Sequence, residues 1–574
     1  MRFSSRPKVS VSISLAFFFV CAFSLYGFVG STNTAHAASA ATSTSATTSF
    51  KGTLSSAHRV GTVNPAALAK ASGHAAYKVM PMRSRPSGGN ASPAIGGRPN
   101  TVSTSVAAGS LLHNFNGVDA IDNANVNGFD LEPPDEGLGD GNGYVFNIVN
   151  DAGAIYRSNG SVVLPAFSIN PFFAESSTAF LSDPRTYYDP TTNTWFATVL
   201  EIGATNTESH FDVAVNKSGN PTTDWTVYKF DTTDPTGANC PCFGDYPIFG
   251  IDKSNIYVSS QEFPISGSGY NGAEIYVISK AQLEAYATSV NVIRFGSLSV
   301  DGVLGYHIQP AIEHTSASAE YFLNSLDPNN TFDNRLGVWA MTNRDHVAQG
   351  VIPNLSATVI SSEAYAMPAN AQTPPGVCPC PGAPFNGPLA TSGVVTADFD
   401  AMQEVQYLNG HLYSSLNTSV NVAGDSGARD GVAWFDVTPV VSGGVISSKS
   451  KVVNQGYIAS RGLYLMYPHT ERTFSGNTVI AFTFGGPGTY LSAGYAVMPS
   501  GAKSFSGIRV AGAGVTSDNG FTSTSVFGGV GRWGDYSAGE LDPSGNGVWL
   551  ATQYIPNNGD QFANWGNRVF EVAA

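Results

Sequence analysis

The segment RWGDYSAGELDPSGNGVWLATQYIP (residues 532–556) contains the pattern that decides the fold. It begins with a short segment of charged and aromatic residues, which we call a corner. A Gly- and Pro-containing turn follows, and the segment ends in an apolar run typical of a buried β-strand. Earlier segments repeat this order of corner, turn and strand. Their corners lie at 133–135, 182–185, 244–247, 309–311, 398–400 and 467–469.

The spacing of these units predicts how they assemble. Asp135 and Asp535 are separated by 400 residues and six intervals, a mean of about 67 residues, which is near the size of a four-stranded blade with long loops. A four-stranded sheet exposes both faces, and radial packing of neighbouring sheets buries them. We therefore predict an all-β fold, a seven-bladed β-propeller over residues 111–574, with a strand at 111–116 completing the last blade. The alternative is a pair of β-sandwiches.

The composition agrees with an all-β fold. The chain has 574 residues, of which 42% are hydrophobic and 12% charged, with 62 Gly and 33 Pro. The apolar content is too high for a disordered chain, and the charged content is too low for a coiled coil.

The first 110 residues predict a targeting segment and a linker. A basic start, an apolar run and the small-residue site Ala35-His36-Ala37 indicate a signal peptide over 1–37, cleaved after Ala37. A membrane anchor is the alternative for this run. Residues 38–110 are rich in Ser, Thr, Ala, Gly and Pro and contain seven basic and no acidic residues. We predict that they form a disordered linker or a pro-segment, and that the protein is secreted or held at the cell surface.

The charge of the remaining chain limits its partners. Residues 111–574 contain 18 Lys and Arg against all 42 Asp and Glu. This excess of acid disfavours nucleic acid and anionic lipid. We predict an extracellular glycan or another small ligand as the partner, no membrane insertion after signal cleavage, and a monomer.

Several separated motifs resemble a known group of proteins. They are PPDEG (133–137), DPRTYYDPTTNTW (183–195), GDYPIFGID (244–252) and RWGDYSAGELDP (532–543). These motifs resemble a widespread group of secreted bacterial β-propellers that is sialidase-like in architecture and largely uncharacterised in function. The resemblance implies the fold. The Phe-Arg-Ile-Pro element of true sialidases is missing from this sequence.

The corners of the repeat supply the candidate site residues. They precede the innermost strands of the predicted blades, so their side chains are expected to meet at the mouth of the central channel. Hydrolysis of a glycosidic bond needs two carboxyl groups with separated pKa values. The candidate catalytic residues are Asp183, Asp245, Glu262 and Asp535, with Glu262 expected as a buried general acid of raised pKa. The alternative role for each is to cap a turn or form an ion pair.

The substrate-binding candidates are cations and one aromatic residue near the same corners. Arginine side chains can bind a sugar carboxylate through two hydrogen bonds, and an indole can stack on a sugar ring. The candidates are Arg185, His469, Arg472, Arg532 and Trp533.

Cysteines and a Gly-rich loop complete the candidates. Cys240-Pro-Cys242 and Cys378-Pro-Cys380 remain after signal cleavage, and an even number in an exported chain predicts disulfides. The pairing stays open between bonds within each motif and bonds between the motifs, and a four-thiolate metal site is the rival. We predict no metal ligands elsewhere, although the carboxylates of 135–143 allow a Ca²⁺ loop, for which a plain turn is the alternative.

Two functions of different classes remain open at this stage. One is a glycoside hydrolase or lyase that uses the mouth carboxylates. The other is a non-catalytic binding or scaffold propeller at the cell surface. They differ in whether the mouth residues face a ligand or are consumed as caps and ion pairs.

Overall fold

The computed structural model describes residues 47–68, 76–79, 109–202, 208–235, 240–265, 268–329, 331–556 and 558–573, all within one compact unit, Ser45–Ala574. The predicted signal peptide, 1–37, lies outside the described residues. Among the helices that are described, none has the length and apolar character needed to cross a membrane. Strands dominate the structure, and the all-β prediction is confirmed.

The elements that precede the first complete sheet are short. They are β1 (Thr48–Phe50), β2 (Thr53–Val63), β3 (Ala76–Val79), β4 (Leu111–Asp119), α1 (Ala120–Asn127) and β5 (Phe129–Glu132), with a 3-10 helix at Pro65–Ala67.

Three antiparallel sheets follow. Sheet I consists of β6 (Glu136–Gly141), β7 (Tyr144–Val149), β8 (Ala152–Arg157) and β9 (Val162–Ser168). After α2 (Ile169–Phe172), sheet II consists of β10 (Phe180–Asp189), β11 (Thr194–Ile202), β12 (Ser209–Asn216) and β13 (Trp225–Asp231). Sheet III consists of β14 (Cys242–Ile251), β15 (Asn255–Pro264), β16 (Gly272–Ser279) and, after α3 (Lys280–Glu284), β17 (Ser289–Phe295).

The next two sheets are preceded by short ladders. After β18 (Ser299–Val300) and β19 (Val303–Leu304), sheet IV consists of β20 (Gln309–Glu313), β21 (Glu320–Ser325), β22 (Phe332–Thr342) and β23 (Asn354–Ala366), with a 3-10 helix at Arg344–Gln349. The ladder strands β24 (Ala371–Gln372), β25 (Val377–Cys378), β26 (Leu389–Ala390) and β27 (Val394–Val395) follow. Sheet V consists of β28 (Val405–Leu408), β29 (His411–Asn421), β30 (Ala428–Thr438) and, after β31 (Val441–Ser442) and β32 (Val445–Ile446), β33 (Lys451–Ile458).

The last two sheets complete the chain. Sheet VI consists of β34 (Tyr464–Arg472), β35 (Thr478–Gly486), β36 (Thr489–Met498) and β37 (Arg509–Gly512). The 3-10 helices Phe521–Ser523 and Ser525–Phe527 precede sheet VII, which consists of β38 (Ala538–Leu541), β39 (Gly547–Tyr554), β40 (Gly566–Ala573) and β4.

The first strands of the sheets form a closed ring. Each of β6, β10, β14, β20, β28, β34 and β38 contacts the next, and β38 contacts β6. Strand β4 closes the ring through backbone hydrogen bonds, because it begins at Leu111, as the sequence predicted, and pairs with β40 from the other end of the chain. In the part of the chain that the structure describes, seven four-stranded sheets share one hub. The fold is a β-propeller, and the β-sandwich alternative is wrong.

Aromatic side chains fill the wedges between neighbouring sheets. The ring centres of Phe146 in sheet I and Trp225 in sheet II lie 6.1 Å apart, and those of Tyr257 in sheet III and Phe322 in sheet IV lie 5.8 Å apart. Both pairs meet edge to face. Tyr495 and Phe570 make the corresponding contact between sheets VI and VII at 5.6 Å. Large rings are needed here because two flat sheets diverge with distance from the hub.

The predicted disordered linker over 38–110 is wrong for part of its length. Strand β2 pairs with β17 through its first half and with β13 through its second half, so it bridges the outer edges of sheets II and III. Strand β1 pairs with β23 of sheet IV. Most β2 side chains are exposed, so the sequence shows no alternation of apolar residues. The strand forms because its backbone satisfies the unpaired groups of two sheet edges.

The cysteines form disulfides within each motif. Cys240 is bonded to Cys242, and Cys378 to Cys380, with Cα–Cα distances of 4.4 and 5.2 Å. Both distances lie within the range that a disulfide spans. The disulfide prediction is confirmed, and the alternatives of bonds between the motifs and of a four-thiolate metal site are wrong.

Candidate functional site

Polar side chains from five sheets meet where the innermost strands begin. We call this group the channel mouth, and it consists of Asp135, Asp183, Asp245, Asp398, Arg532 and Asp535. The side chains are brought together by the ring, since Asp135 and Asp535 lie at opposite ends of the chain but on adjacent sheets. The sequence-predicted residues Asp183, Asp245, Arg532 and Asp535 are all in this group.

Unusual backbone conformations aim several mouth residues into the channel. Asp135, Asp183 and Asp398 have φ values of 30°, 57° and 44°, in the left-handed region that non-glycine residues seldom adopt. Strand β10 has a bulge between Ser182 and Arg185, and β14 has one after Asp245. A bulge redirects a side chain at the start of a strand, and strain of this kind concentrates at functional sites.

Hydrogen bonds join three sheets beneath the mouth. Asn150 Nδ2 donates to Asp135 Oδ2 at 2.6 Å, and Asn150 Oδ1 accepts from the backbone N–H of Asp183 at 2.7 Å. The backbone N–H of Asp535 donates to Asp135 Oδ1 at 2.7 Å. Sheets I, II and VII are therefore held in register by one buried carboxyl group and one buried amide.

The acids of the mouth cannot all ionise together. Burial, followed by the charges of Asp245 and Asp535, raises the pKa of Asp183 to about 7. Burial, the charge of Asp535 and a hydrogen bond with Asp535 raise the pKa of Asp398 well above its usual value. Burial and the charges of Asp535 and Asp183 raise the pKa of Asp135 well above its usual value as well. Because close carboxylates repel one another, the mouth retains protons near neutral pH.

Burial divides the mouth into an outer and an inner tier. Asp245 and Asp398 are partly exposed and the Arg532 side chain is 9% exposed, whereas Asp135, Asp183 and Asp535 are buried. Arg532 Nη2 lies 3.7 Å from Asp535 Oδ1, so the guanidinium connects the two tiers. A ligand at the mouth would meet the outer tier first.

Two predicted substrate ligands, Arg185 and His469, lie deeper in the channel. The guanidinium of Arg185 stacks 3.5 Å from the ring centre of Tyr536 and pairs with Glu404 at 3.8 Å. His469 Nε2 lies 3.3 Å from Glu471 Oε1. The cavity lined by Arg185 and Glu404 has a volume of about 10 Å³, which is room for roughly one water molecule.

The side chains around His469, deeper in the channel, are tightly packed, and some of their titratable groups are uncharged. Burial lowers the pKa of His469 and raises that of Glu471 to about 8. A Cβ at Gly539 would lie 2.6 Å from Cδ2 of His469, so glycine is required there. Glu404, His469 and Glu471 offer ligand atoms within 4.8 Å of one another and could hold a small cation. Arg185 and His469 therefore lie below the mouth, and direct substrate contact by either residue stays a prediction.

Arg472 and Trp533 also lie away from the mouth, and their role as substrate ligands stays a prediction. Arg472 ends β34, at the opposite end of the channel from the mouth, where Nη1 donates to Thr478 Oγ1 at 2.9 Å. Trp533 is 2% exposed, and its Nε1 donates to Thr483 Oγ1 at 3.3 Å. An innermost strand crosses the whole channel, so residues close in sequence to a corner can lie far from the mouth or inside a wedge.

Glu262 lies on the second strand of sheet III, beside a disulfide. Burial and the charge of Glu274 raise its pKa to about 7, as predicted for this residue. Asn271 Nδ2 donates to Oε1 of Glu262 at 3.2 Å and to Cys242 Sγ at the same distance. Arg294 Nη2 is 3.9 Å from Oε2. These contacts are all with sheet III and its leading loop, and the catalytic role of Glu262 stays a prediction.

Some residues of the site were missed or misread in the sequence. Asp135 begins the segment considered for calcium, but Glu136–Gly141 forms the innermost strand β6 rather than a loop. Glu404 lies just before β28 and carries no corner motif, so only the ring geometry reveals it. Tyr536 follows the Gly-Asp corner directly, and that adjacency was the available signal.

This chain was compared with known protein families, curated proteins and solved structures, and only solved structures show a similarity. No protein-family model and no curated protein matches this chain. A protein of unknown function from Dyadobacter fermentans DSM 18053 is 11% identical, with a TM-score of 0.31, over 69% of this chain and 95% of its own.

Two solved enzyme structures have a similar sequence identity and TM-score to this chain. The GH93 α-L-arabinofuranosidase of Fusarium graminearum, solved with arabinobiose, is 8% identical with a TM-score of 0.33, over 79% of this chain and 97% of its own. The Trypanosoma rangeli sialidase, solved with the inhibitor DANA, is 10% identical with a TM-score of 0.31, over 73% of this chain and 57% of its own. Similarity at this level carries no argument about activity, and the propeller assignment rests on the ring of sheets.

Proposed function

We propose that the protein is a secreted glycoside hydrolase whose channel mouth binds an extracellular glycan. The observation that carries the proposal is the two-tier mouth. Asp245 and Asp398 are partly exposed, the Arg532 side chain is 9% exposed, and the three come from different sheets. The charges of Asp245 and Asp535 act on the buried Asp183, and that of Asp535 acts on Asp398. Carboxylates accept hydrogen bonds from sugar hydroxyls, and a guanidinium donates them.

The mouth supplies the two carboxyl roles that glycosidic hydrolysis requires. Asp398, whose pKa is raised by burial and by Asp535, serves as the general acid and donates its proton to the glycosidic oxygen as the C–O bond breaks. Asp245 serves as the base that takes a proton from the attacking water, whose oxygen bonds to the anomeric carbon. Arg532 orients the sugar.

The buried tier has a positioning role in this proposal. Asp183 and Asp535 were predicted as catalytic, but they are 2% and 7% exposed. Asp535 acts through Asp398, because its charge helps to keep a proton on that residue, whereas Asp183 takes up the proton itself beside the charge of Asp245. Secretion follows from the sequence of the first 37 residues, and the monomeric state is retained as part of the proposal.

The test is incubation of the mature protein with a panel of polysaccharides, with released reducing ends as the readout. We expect Asp398→Asn and Asp245→Asn each to lower kcat by about 100-fold or more while the fold is kept. Asp345→Asn, an exposed acid of the Arg344–Gln349 helix, is the matched control. Full activity in both mouth variants would contradict the proposal.

A second candidate function is glycan binding without catalysis. It is favoured by the hydrogen bonds that Asp135 and the backbone of Asp183 and Asp535 make between sheets, which are structural. Glycan retention with no released reducing ends across the panel, lost in Arg532→Ala, would select this function over hydrolysis.

A further inference from the structure

A histidine and three acids converge on sheet II, outside the channel mouth. We call Glu175, Glu201, His210 and Asp212 the rim cluster. Glu175 lies between α2 and β10, Glu201 is in β11, and His210 and Asp212 are in β12. Glu201 is paired in register with both His210 and Leu181. The cluster therefore lies at the end of sheet II where β10 begins, on the same face of the propeller as Asp183.

Both ring nitrogens of His210 are flanked by carboxylates. Nε2 lies 2.9 Å from Glu175 Oε1 and 3.3 Å from Asp212 Oδ1, and Nδ1 lies 3.0 Å from Glu201 Oε2. One ligand atom each from Glu175, Glu201 and His210 lies within 4.8 Å of the others. Two ligands bound to one Zn²⁺ at ordinary bond lengths lie about 3.0–3.5 Å apart, and the two carboxylates at Nε2 lie 2.9 and 3.3 Å from that nitrogen.

Unpartnered oxygens point to a missing charge. Asp212 is fully buried at 0% exposed, and neither of its carboxylate oxygens has a hydrogen-bond partner, although Oδ1 faces the imidazole. Oε2 of Glu201 is likewise buried, and it faces Nδ1 of His210 at 3.0 Å. A buried carboxylate normally has a donor, an ion partner or a metal. Here the carboxylates of Glu175, Glu201 and Asp212 all face the imidazole of His210.

The charge balance of the cluster is negative. Lys229 contacts Glu175 and supplies one positive charge, against three negative charges when all three carboxyl groups are ionised. A divalent cation would bring the cluster to neutrality. Imidazole favours transition metals such as zinc over calcium, which prefers oxygen ligands alone.

We propose that the rim cluster is a binding site for a divalent transition metal, with Zn²⁺ as the best fit. Nε2 of His210, Glu175 and Asp212 face the ion, and Glu201 holds the imidazole from behind at Nδ1. A metal-binding histidine ordinarily has a carboxylate at its second nitrogen, and His210 has one at each. The site is independent of the proposed hydrolytic activity.

The test is calorimetric titration of the EDTA-treated, dialysed full-length protein with ZnCl2 and, separately, with CaCl2. We expect one Zn²⁺ per chain, a rise in Tm on zinc addition, and much weaker binding of Ca²⁺. His210→Gln removes the nitrogen ligand and should abolish zinc binding. Glu201→Gln, which loses the carboxylate at Nδ1 behind the imidazole, should weaken it by about 10–100-fold.

A matched control is available on sheet V. His411 Nδ1 lies 2.6 Å from Asp436 in a partly exposed pair, so His411→Gln should leave zinc binding unchanged. If His210→Gln fails to fold by circular dichroism, the less buried Glu175→Gln replaces it. At about 1 mM ZnCl2, the zinc concentration is well above the dissociation constant of a functional site. The absence of both binding heat and a Tm shift at this concentration would overturn the proposal. Equal zinc affinity in the wild type and the ligand variant would do so as well.

Discussion

The backbone N–H of Asp535 donates a 2.7 Å hydrogen bond to Oδ1 of Asp135, a residue 400 positions earlier in the chain. The other oxygen of Asp135 accepts from Asn150, which in turn accepts from the backbone of Asp183. One carboxyl group thus joins the first sheet to the last and, through Asn150, to the second. The residues that form the mouth are also part of what closes the ring.

The first prediction concerns this closure. Asp135→Ala removes the acceptor for the Asp535 N–H and for Asn150, and leaves both donors buried. We expect the free energy of unfolding to fall by about 2–4 kcal/mol, because an unsatisfied buried donor costs roughly 1–3 kcal/mol. Urea unfolding followed by tryptophan fluorescence measures the change. Asp345→Ala, at an exposed ion pair, should cost less than about 1 kcal/mol; equal costs for the two variants would show that Asp135 does not join the sheets.

The second prediction concerns the packing of His469 in the channel. Gly539→Ala places a Cβ 2.6 Å from Cδ2 and 2.7 Å from Nε2 of His469, on a backbone that cannot move freely. We expect a loss of about 1–3 kcal/mol from overpacking. Gly488→Ala is the control, since a Cβ there meets nothing within 4 Å. Thermal unfolding of both variants decides the matter, and a Gly539→Ala protein as stable as the control would refute the predicted clash.

The sequence predicted the sheets better than the site. The corners near Asp183, Asp245 and Asp535 were readable because each combines a turn residue with a following apolar strand, and all three reach the mouth. Arg185 lies two residues beyond Asp183, yet it faces the deeper channel, because a strand carries successive residues along the axis. Trp533 looked available for stacking, but its burial depends on Thr483 of another sheet. Strand β2 was missed because backbone pairing, rather than apolar alternation, holds it in place.

The third prediction concerns pH. The pKa of Asp183 is raised to about 7 in the folded protein from a usual value of 3.8. The folded state therefore binds more protons than the unfolded state between these values, and stability falls as pH rises from about 4 to 7. Asp183→Asn removes this titration. We expect the loss of stability between pH 5 and pH 8 to be smaller in the variant, as measured by urea unfolding at both pH values. The same loss in both proteins would mean that Asp183 is not protonated in the fold.

The last prediction concerns the strand that bridges two sheets. Ala57 is fully buried at the middle of β2, paired with Val290 of β17, and His58 next to it pairs with both β17 and β13. Ala57→Pro removes a backbone donor, and proline is tolerated poorly inside a paired strand. We expect faster amide exchange in Trp225–Asp231 and Ser289–Phe295, with no change in Thr489–Met498 of sheet VI. Val60→Thr, at a position 47% exposed, keeps the β-branched shape and serves as the control. Unchanged protection of both outer strands in Ala57→Pro would mean that β2 lies on the propeller without holding its edges, and the leader would then be a passive covering of sheets II and III.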